Sequence, residues 1–229
     1  MKGPFRFGIR GESLALIALS AVALGAVSAL GAGEKVWVEE AKYVVLEAEA
    51  VDGGYEQTHW ELRKQPPGWS GSGYLVWNGS PLTGEGMETV GYDEVEDSRK
   101  LVYRVLIKHP GVYCIKVRNY HAGSGRGIHP FDGDNDCFVS MKQGEFGKQY
   151  DFNRNAFTWC ETGVWRKAHL EAGVHEIAIA GRSPGFGLDR IVLFHEDLSP
   201  DADFEQLPES WVEAYSWAGA PESKTTLKR

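Results

Sequence analysis

The sequence is poor in cysteine and methionine, with three of each among 229 residues. Three cysteines cannot all pair, so the fold cannot depend on the several disulfides that staple many small secreted domains. Cys114 and Cys137 lie in strand-like runs and could face each other across a sheet. Burial of these two and Cys160 as small apolar side chains explains the sequence equally well. We therefore assign no bridge from the sequence.

Several function classes lack their sequence signals. There is no Gly-x-Ser-x-Gly nucleophile motif, no phosphate-binding loop and no His-Glu-x-x-His zinc motif. Basic residues are also in the minority, since 24 Lys and Arg stand against 32 Asp and Glu and give a formal charge of −8. Because an acidic surface repels phosphate backbones, we do not expect nucleic acid to be a partner.

The N-terminus has the pattern of a secretory leader. Lys2, Arg6 and Arg10 precede an apolar stretch over residues 14–26, and small residues follow it up to Ala29. The alternative is a membrane anchor, but the apolar run is shorter than the ~20 residues that a spanning helix needs. We predict a signal peptide over residues 1–29, a secreted or periplasmic mature protein, and no membrane partner after cleavage.

The remainder of the chain alternates apolar and polar residues in short runs, which is typical of strands. Glycine- and proline-rich turns separate the runs, and no segment before residue 195 sustains a helical period. The runs cover residues 43–49, 73–77, 99–107, 111–118, 136–141, 164–170, 175–180 and 188–194. This pattern predicts an all-β fold, a jelly-roll β-sandwich of about eight to ten antiparallel strands over residues 36–195.

After residue 195 the alternation stops, and acidic residues and prolines become frequent. We expect residues 196–229 to form a loosely ordered tail. Trp211, Tyr215 and Trp217 have spacings that would let part of the tail dock as a short helix.

Three carboxylates are candidate metal ligands. Glu47 and Glu49 are two residues apart in a predicted strand, so their side chains project from the same face. Asp189 is in the last predicted strand, which commonly pairs with the first strand in a jelly roll. The three would then form an oxygen-rich site suited to calcium, although a solvated strand face explains the two glutamates equally well.

The order of several short motifs resembles a known family. The motifs are Leu-Glu-Ala-Glu at residues 46–49, Gly-Ser-Gly-Tyr-Leu at 71–75, Gly-Val-Tyr at 111–113 leading to Arg-Asn at 118–119, and Ala-Gly-Val-His at 172–175 followed by Gly-Leu-Asp-Arg-Ile at 187–191. They resemble the galactose-binding-like jelly rolls of carbohydrate-binding module families 6 and 35 and the related C-terminal domain of family 115 glycoside hydrolases. The resemblance spans roughly residues 43–194. It implies a non-catalytic protein that binds a polysaccharide or glycan, with Glu47, Glu49 and Asp189 holding a structural calcium.

Carbohydrate recognition needs flat aromatic faces together with a few directional polar groups. Trp69 follows a Pro-Pro-Gly turn and Trp159 lies near a glycine-rich loop, so we predict that both reach a binding surface with polar help from His121, Asp134 and Asn135. Core packing is the alternative for any single tryptophan, and a loop ordered by hydrogen bonds with Arg118 is the alternative for the polar residues. An enzyme of polysaccharide degradation and a structural or adhesive cell-surface domain remain as alternative functions.

Overall fold

The computed structural model describes residues 34–82, 88–123, 133–160, 166–200 and 202–215. The predicted signal peptide lies outside these ranges. Within them, no helix is long and apolar enough to cross a membrane. The helices that are present there are three single 3₁₀ turns at Ala48–Ala50, Tyr92–Glu94 and Asp97–Arg99.

Two sheets face each other, which confirms the predicted all-β sandwich. The first sheet has seven strands in the spatial order β14 (Val212–Tyr215), β1 (Glu34–Val38), β6 (Lys100–Ile107), β12 (Gly173–Gly181), β8 (Asp136–Ser140), β9 (Glu145–Tyr150) and β5 (Thr89–Gly91). β1 and β6 run parallel, whereas the other described strand pairs are antiparallel.

The second sheet is built around the last long strand of the sandwich. Its spatial order is β10 (Thr158–Trp159), β7 (Gly111–Tyr120), β13 (Gly187–His195), β4 (Tyr74–Trp77) and β3 (Trp60–Arg63). Two further strands complete it, β11 (Lys167–Leu170) beside β7 and β2 (Tyr43–Glu47) beside β13. The predicted pairing of the first and last alternating runs is thus present as β2 with β13.

The long alternating strands were predicted within one or two residues, and the shorter β2, β4, β8 and β11 were also found, whereas six other strands were missed. β6 alternates half-buried and buried residues along its whole length, because one face lies on the core. β1, β3, β5, β9, β10 and β14 were not predicted. They are short or lie near sheet edges, where tertiary pairing decides the conformation more than the local pattern does.

The core lies between the sheets. Leu101, Tyr103 and Val105 of β6 face Ile115 and Val117 of β7 within one cluster of buried side chains. Cys137 and Cys160 belong to that cluster, whereas Cys114 belongs to a second cluster on the outer face of the second sheet. All three cysteines are buried and unpaired, so the Cys114–Cys137 pairing considered above is not present.

The segment after residue 195 packs on the outer face of the second sheet. Phe204 is 3% exposed and clusters there with Val45, Val192 and Phe194. Farther on, β14 pairs with β1. The Ser210 N–H donates to the Val45 carbonyl oxygen, and the Ser210 hydroxyl oxygen accepts the Val45 N–H. All nine residues of β13 are buried because the core covers one face and this segment covers the other.

The described part of the C-terminal segment therefore differs from the loose tail expected from the sequence. The segment is acidic overall, so its sequence did not indicate the apolar contact that Phe204 makes with the second sheet. Trp217 lies outside the described residues, and within them the short helix considered around Trp211 and Tyr215 is also not present. Val212–Tyr215 is a strand, because the edge of β1 offers backbone groups to pair with.

This packing predicts that Phe204→Ala lowers the free energy of unfolding by about 3 kcal/mol, the usual cost of truncating a buried phenylalanine. Phe152→Ala is the matched control, because Phe152 is 50% exposed, and it should change stability by no more than about 0.5 kcal/mol. Urea unfolding monitored by tryptophan fluorescence measures both. Equal stability of the two variants would contradict the packing of this segment on the sheet.

Candidate functional site

The strands bring several loops to one end of the sandwich, here called the loop end. β7 ends there at Tyr120 opposite Gly187, where β13 begins, and β12 ends at Gly181 opposite Cys137 of β8. The loops at this end span residues 121–123, 133–135, 151–157 and 182–186. The β3–β4 loop at residues 64–73 reaches them across the outer face of the second sheet, where its Gly68 lies against Phe157 and Arg118. Of the eight residues predicted as candidate ligands, Trp69, His121, Asp134 and Asn135 lie in these loops, whereas Glu47, Trp159 and Asp189 lie in strands and Glu49 lies in a 3₁₀ turn.

The three predicted metal ligands converge on the loop at residues 64–73. The Ser70 hydroxyl donates to Glu47 Oε2 at 2.6 Å and lies 3.2 Å from Asp189 Oδ2, and its backbone N–H donates to Asp189 Oδ1 at 2.8 Å. Glu49 lies in the 3₁₀ turn after β2 and accepts the Ser72 N–H. A side chain at Gly71 would meet the Glu49 carboxylate, and Gly71 has a φ of +62°, a conformation that glycine adopts without strain.

Two arginines neutralise the buried carboxylates. Arg190 binds Glu47 Oε1 through Nε at 2.9 Å and through a terminal nitrogen at 2.8 Å. Arg118 pairs with Asp189, and its other terminal nitrogen lies 2.6 Å from Glu205 of the C-terminal segment. A buried guanidinium and a buried carboxylate in contact neutralise each other. Either charge would carry a large desolvation cost if it were buried without the other.

A β-bulge explains how consecutive residues reach the same network. The register of β13 against β7 shifts between Leu188 and Arg190. A bulge places two residues opposite one, which interrupts the strict alternation of side chains. Asp189 can therefore meet Arg118 while Arg190 meets Glu47. Arg190 also donates to the carbonyl oxygens of Phe204 and Glu205.

The buried carboxylates have features of a cation site, but two arginines already pair with Glu47 and Asp189. Burial raises the pKa of Asp189 to about 6, although the Ser70 N–H and Arg118 lower it, and burial raises the pKa of Glu49 as well. Glu49 Oε2 is buried without a hydrogen-bond partner. Such oxygens suit calcium. Yet among the described residues, no three acidic, histidine or cysteine side chains form a group that could hold a metal ion, and the two arginines already supply positive charge.

Trp69 is half-exposed on the loop at residues 64–73. Its indole N–H donates to the Lys64 carbonyl oxygen at 3.1 Å, which fixes the ring to its own loop. The adjacent Gly68 is held by Arg118, whose terminal nitrogen lies 3.0 Å from the Gly68 carbonyl oxygen, and a Cβ on Gly68 would lie 3.1 Å from the Phe157 ring. The structure thus places Trp69 at the loop end on a loop of fixed shape.

Trp159 is only half-buried, but its contacts are with the C-terminal segment. Its ring meets Phe204 edge to face with centroids 6.2 Å apart, and its indole N–H donates to Glu205 Oε2 at 3.2 Å. The residue is in β10 beside Arg118 of β7. These contacts differ from the predicted open sugar-stacking position, because the segment that covers Trp159 was expected to be loose.

The three predicted polar contacts are buried. His121 is fully buried, Asp134 and Asn135 are each 3% exposed, and His121 Nδ1 lies 3.5 Å from Asp134 Oδ1. Asn135 bonds the backbone of Asp151 twice. Its side-chain amide donates to the Asp151 carbonyl oxygen at 3.1 Å, and its backbone carbonyl oxygen accepts the Asp151 N–H. Their positions agree with the alternative in which this region orders the loops.

Sequence reasoning did not assign Ser70, Arg190 or Glu205 to the site. Ser70 gave no signal, since a serine in a turn is ordinary. Arg190 gave a usable one, because two adjacent charged residues in an apolar strand break its alternation and indicate a bulge. Glu205 could not be found, since its role depends on where the C-terminal segment docks.

Comparison with known proteins gives likenesses at low identity. The chain is similar in structure to a Podospora anserina GH26-CBM35 β-(1,4)-mannanase, with 19% identity and a TM-score of 0.48 over 71% of this chain and 29% of the mannanase. A family 35 carbohydrate-binding module from Clostridium thermocellum matches with 13% identity and a TM-score of 0.39 over 70% of this chain and 98% of the module. The C-terminal CBM6 of a laminarinase from Zobellia galactanivorans matches with 14% identity and a TM-score of 0.40 over 66% of this chain and 98% of the module.

These solved structures include members of families 6 and 35, the same families that the motif order resembles. This chain spans less than a third of the mannanase. No protein family model and no curated protein matches the chain.

The raised pKa of Asp189 predicts a pH-dependent stability. Between pH values of about 4 and about 6 the unfolded chain has released the Asp189 proton while the folded chain keeps it. The contribution of Asp189 to the free energy of unfolding therefore falls as the pH rises through this window. Urea unfolding of the wild type and of Asp189→Asn in EDTA measures it. The stability difference, wild type minus variant, should fall with pH and then level off; a difference that grows across the window would contradict the buried, cation-free carboxylate.

Proposed function

We propose that this chain is a secreted, non-catalytic protein that binds a polysaccharide or glycan at the loop end of its sandwich. The observation that carries the proposal is Trp69, a half-exposed aromatic ring on a loop that hydrogen bonds hold in place. A ring that is already fixed loses little conformational entropy when a sugar stacks on it. The leader pattern over residues 1–29 supports secretion.

The carboxylates at the loop end support binding rather than hydrolysis. Glycoside hydrolysis commonly uses two carboxyl groups that flank the scissile bond, one as acid and the other as base or nucleophile. Here Glu47 and Asp189 are buried in ion pairs with Arg190 and Arg118, so neither is presented to a ligand. Asp136 is similarly engaged by Arg182 and Ser183.

The proposal predicts that Trp69→Ala weakens retention in native affinity gels that contain laminarin, galactomannan or dextran. The expected loss is about two- to tenfold in affinity, the factor that aromatic stacking energies correspond to. Trp211→Ala is the matched control, because Trp211 is also half-buried but precedes β14 and lies beside Lys108, near the opposite end of the sandwich. It should leave retention unchanged.

Three results would contradict the proposal. If the wild type is retained and Trp69→Ala is retained equally, the site does not use Trp69. If the wild type is retained on no gel but remains folded, carbohydrate binding fails and a structural or adhesive role replaces it. Release of reducing ends from any of the three polysaccharides would instead establish an enzyme.

We also propose that calcium binds at the carboxylate cluster of Glu47, Glu49 and Asp189. The support is the unpartnered Glu49 Oε2 and the raised pKa values of Glu49 and Asp189, which a nearby cation would lower. The ion pairs with Arg118 and Arg190 oppose it, because calcium must share the same oxygens. When bound, the ion would add positive charge and tie β2 and β13 to the loop at residues 64–73.

The pH titration described above distinguishes the two situations. With millimolar calcium, the contribution of Asp189 to stability should no longer fall between pH values of about 4 and 6, since bound calcium favours the ionised carboxylate. Calcium should also raise the melting temperature of the wild type but not of Asp189→Asn. Identical melting and pH profiles in calcium and in EDTA would overturn the calcium proposal and leave the arginines as the sole counter-charges.

A further inference from the structure

A second aromatic surface lies at the loop end, on the turn that follows β9. Phe152 is 50% exposed and is the one large apolar side chain in the described ranges that is exposed. Its ring meets the half-buried Tyr150 at a centroid distance of 5.2 Å and an interplanar angle of 65°. The two rings thus form the walls of a corner, with the Lys148 ammonium 5.3 Å from the Tyr150 ring centroid.

Hydrogen bonds hold the chain in place on both sides of Phe152, at Asp151 and at Asn155. Asp151 is 1% exposed, and its carboxylate accepts bonds from Asn119, Thr158 and both the backbone N–H and the side-chain amide of Asn153. Asn135 bonds the backbone of Asp151 in both directions. On the far side, the Asn155 N–H donates to the His121 carbonyl oxygen at 2.8 Å.

An exposed apolar side chain alone would need no explanation, since single ones are common on protein surfaces. Here the backbone next to the ring is held by a buried network around Asp151, and exposed polar side chains follow Phe152 directly at Asn153, Arg154 and Asn155. Asn155 has a φ of +58°, a conformation that asparagine tolerates better than most residues. A fixed aromatic ring beside amide and cationic groups matches the apolar face and hydroxyl edge of a pyranose.

We propose that Phe152 and Tyr150 form a stacking platform for a sugar ring, beside the side chains of Asn153 and Lys148. This inference rests on the proposed function, because it takes the ligand to be carbohydrate. It also assigns a role to the predicted residues Asn135 and His121. They position the platform through backbone bonds and do not touch the sugar.

Phe152→Leu and Phe152→Tyr test the platform in native affinity gels containing laminarin, galactomannan or dextran. Leucine keeps an apolar side chain but removes the flat face, so affinity should fall about two- to tenfold, the factor expected from lost stacking. Tyrosine keeps the face and should restore binding to the wild-type level. The exposure of Phe152 means that both variants should melt at the wild-type temperature, which circular dichroism checks.

The outcomes separate this inference from the proposed function. If Phe152→Leu is retained like the wild type while Trp69→Ala is not, the platform is wrong and carbohydrate binding stands. If the folded wild type is retained on none of the gels, both fail. Sedimentation analysis adds a third outcome, since a wild-type dimer that Phe152→Leu converts to a monomer would show that the ring contacts a second copy of the chain and would overturn the platform.

Discussion

The ion pairs of Arg118 and Arg190 hold together parts of the chain that are far apart in sequence. Through Glu47 they reach the end of β2, through Asp189 the bulge of β13, and through the backbone of residues 204–205 the C-terminal segment. Replacing a buried ion pair by apolar groups often costs nothing, so such pairs are weak evidence for stability. What these pairs supply is a unique arrangement, because each guanidinium has acceptors on different elements.

This arrangement fixes the loop on which Trp69 stands. Arg118 holds the Gly68 carbonyl oxygen, while Ser70 bonds both Glu47 and Asp189. A second polar network around Asp151 fixes the turn of Phe152 in the same manner. The loop end therefore carries two aromatic residues, Trp69 and Phe152, on backbone segments that buried polar groups hold in place. Rings held in this way offer stacking surfaces at a small entropic cost, which is the physical basis of the proposed carbohydrate binding.

The sequence predicted the fold well because its long strands are half-buried and alternate. β6, β7, β12 and β13 were found within two residues of their ends, and the pairing of β2 with β13 followed from jelly-roll topology. The short strand β14 was missed because nothing in Val212–Tyr215 distinguishes a strand from a helix before β1 is placed beside it.

The candidate site could be predicted only in part. Glu47 and Asp189 do come together at Ser70, because β2 pairs with β13, whereas Glu49 lies beyond β2 in a 3₁₀ turn and reaches the same loop at Ser72. Of their partners, Arg190 alone left a signal, since two adjacent charged residues break the alternation of an apolar strand. The pairing of Arg118 with Asp189 could not be foreseen, because it depends on the bulge between Leu188 and Arg190, which is a tertiary feature. Phe152 was not singled out, because the sequence does not show which phenylalanine is left exposed. Asn135 and His121 were predicted near the loops but as ligand contacts, and buried polar side chains in loops bond the backbone more often than a ligand.

A crystal structure of the protein with an oligosaccharide from a retained polysaccharide tests the central claim most directly. The account predicts a sugar ring stacked at the loop end on Trp69 or Phe152, with Arg118 still paired to Asp189 and the C-terminal segment in place over Trp159. A sugar bound away from both rings, or bound only after that segment has moved, would contradict it.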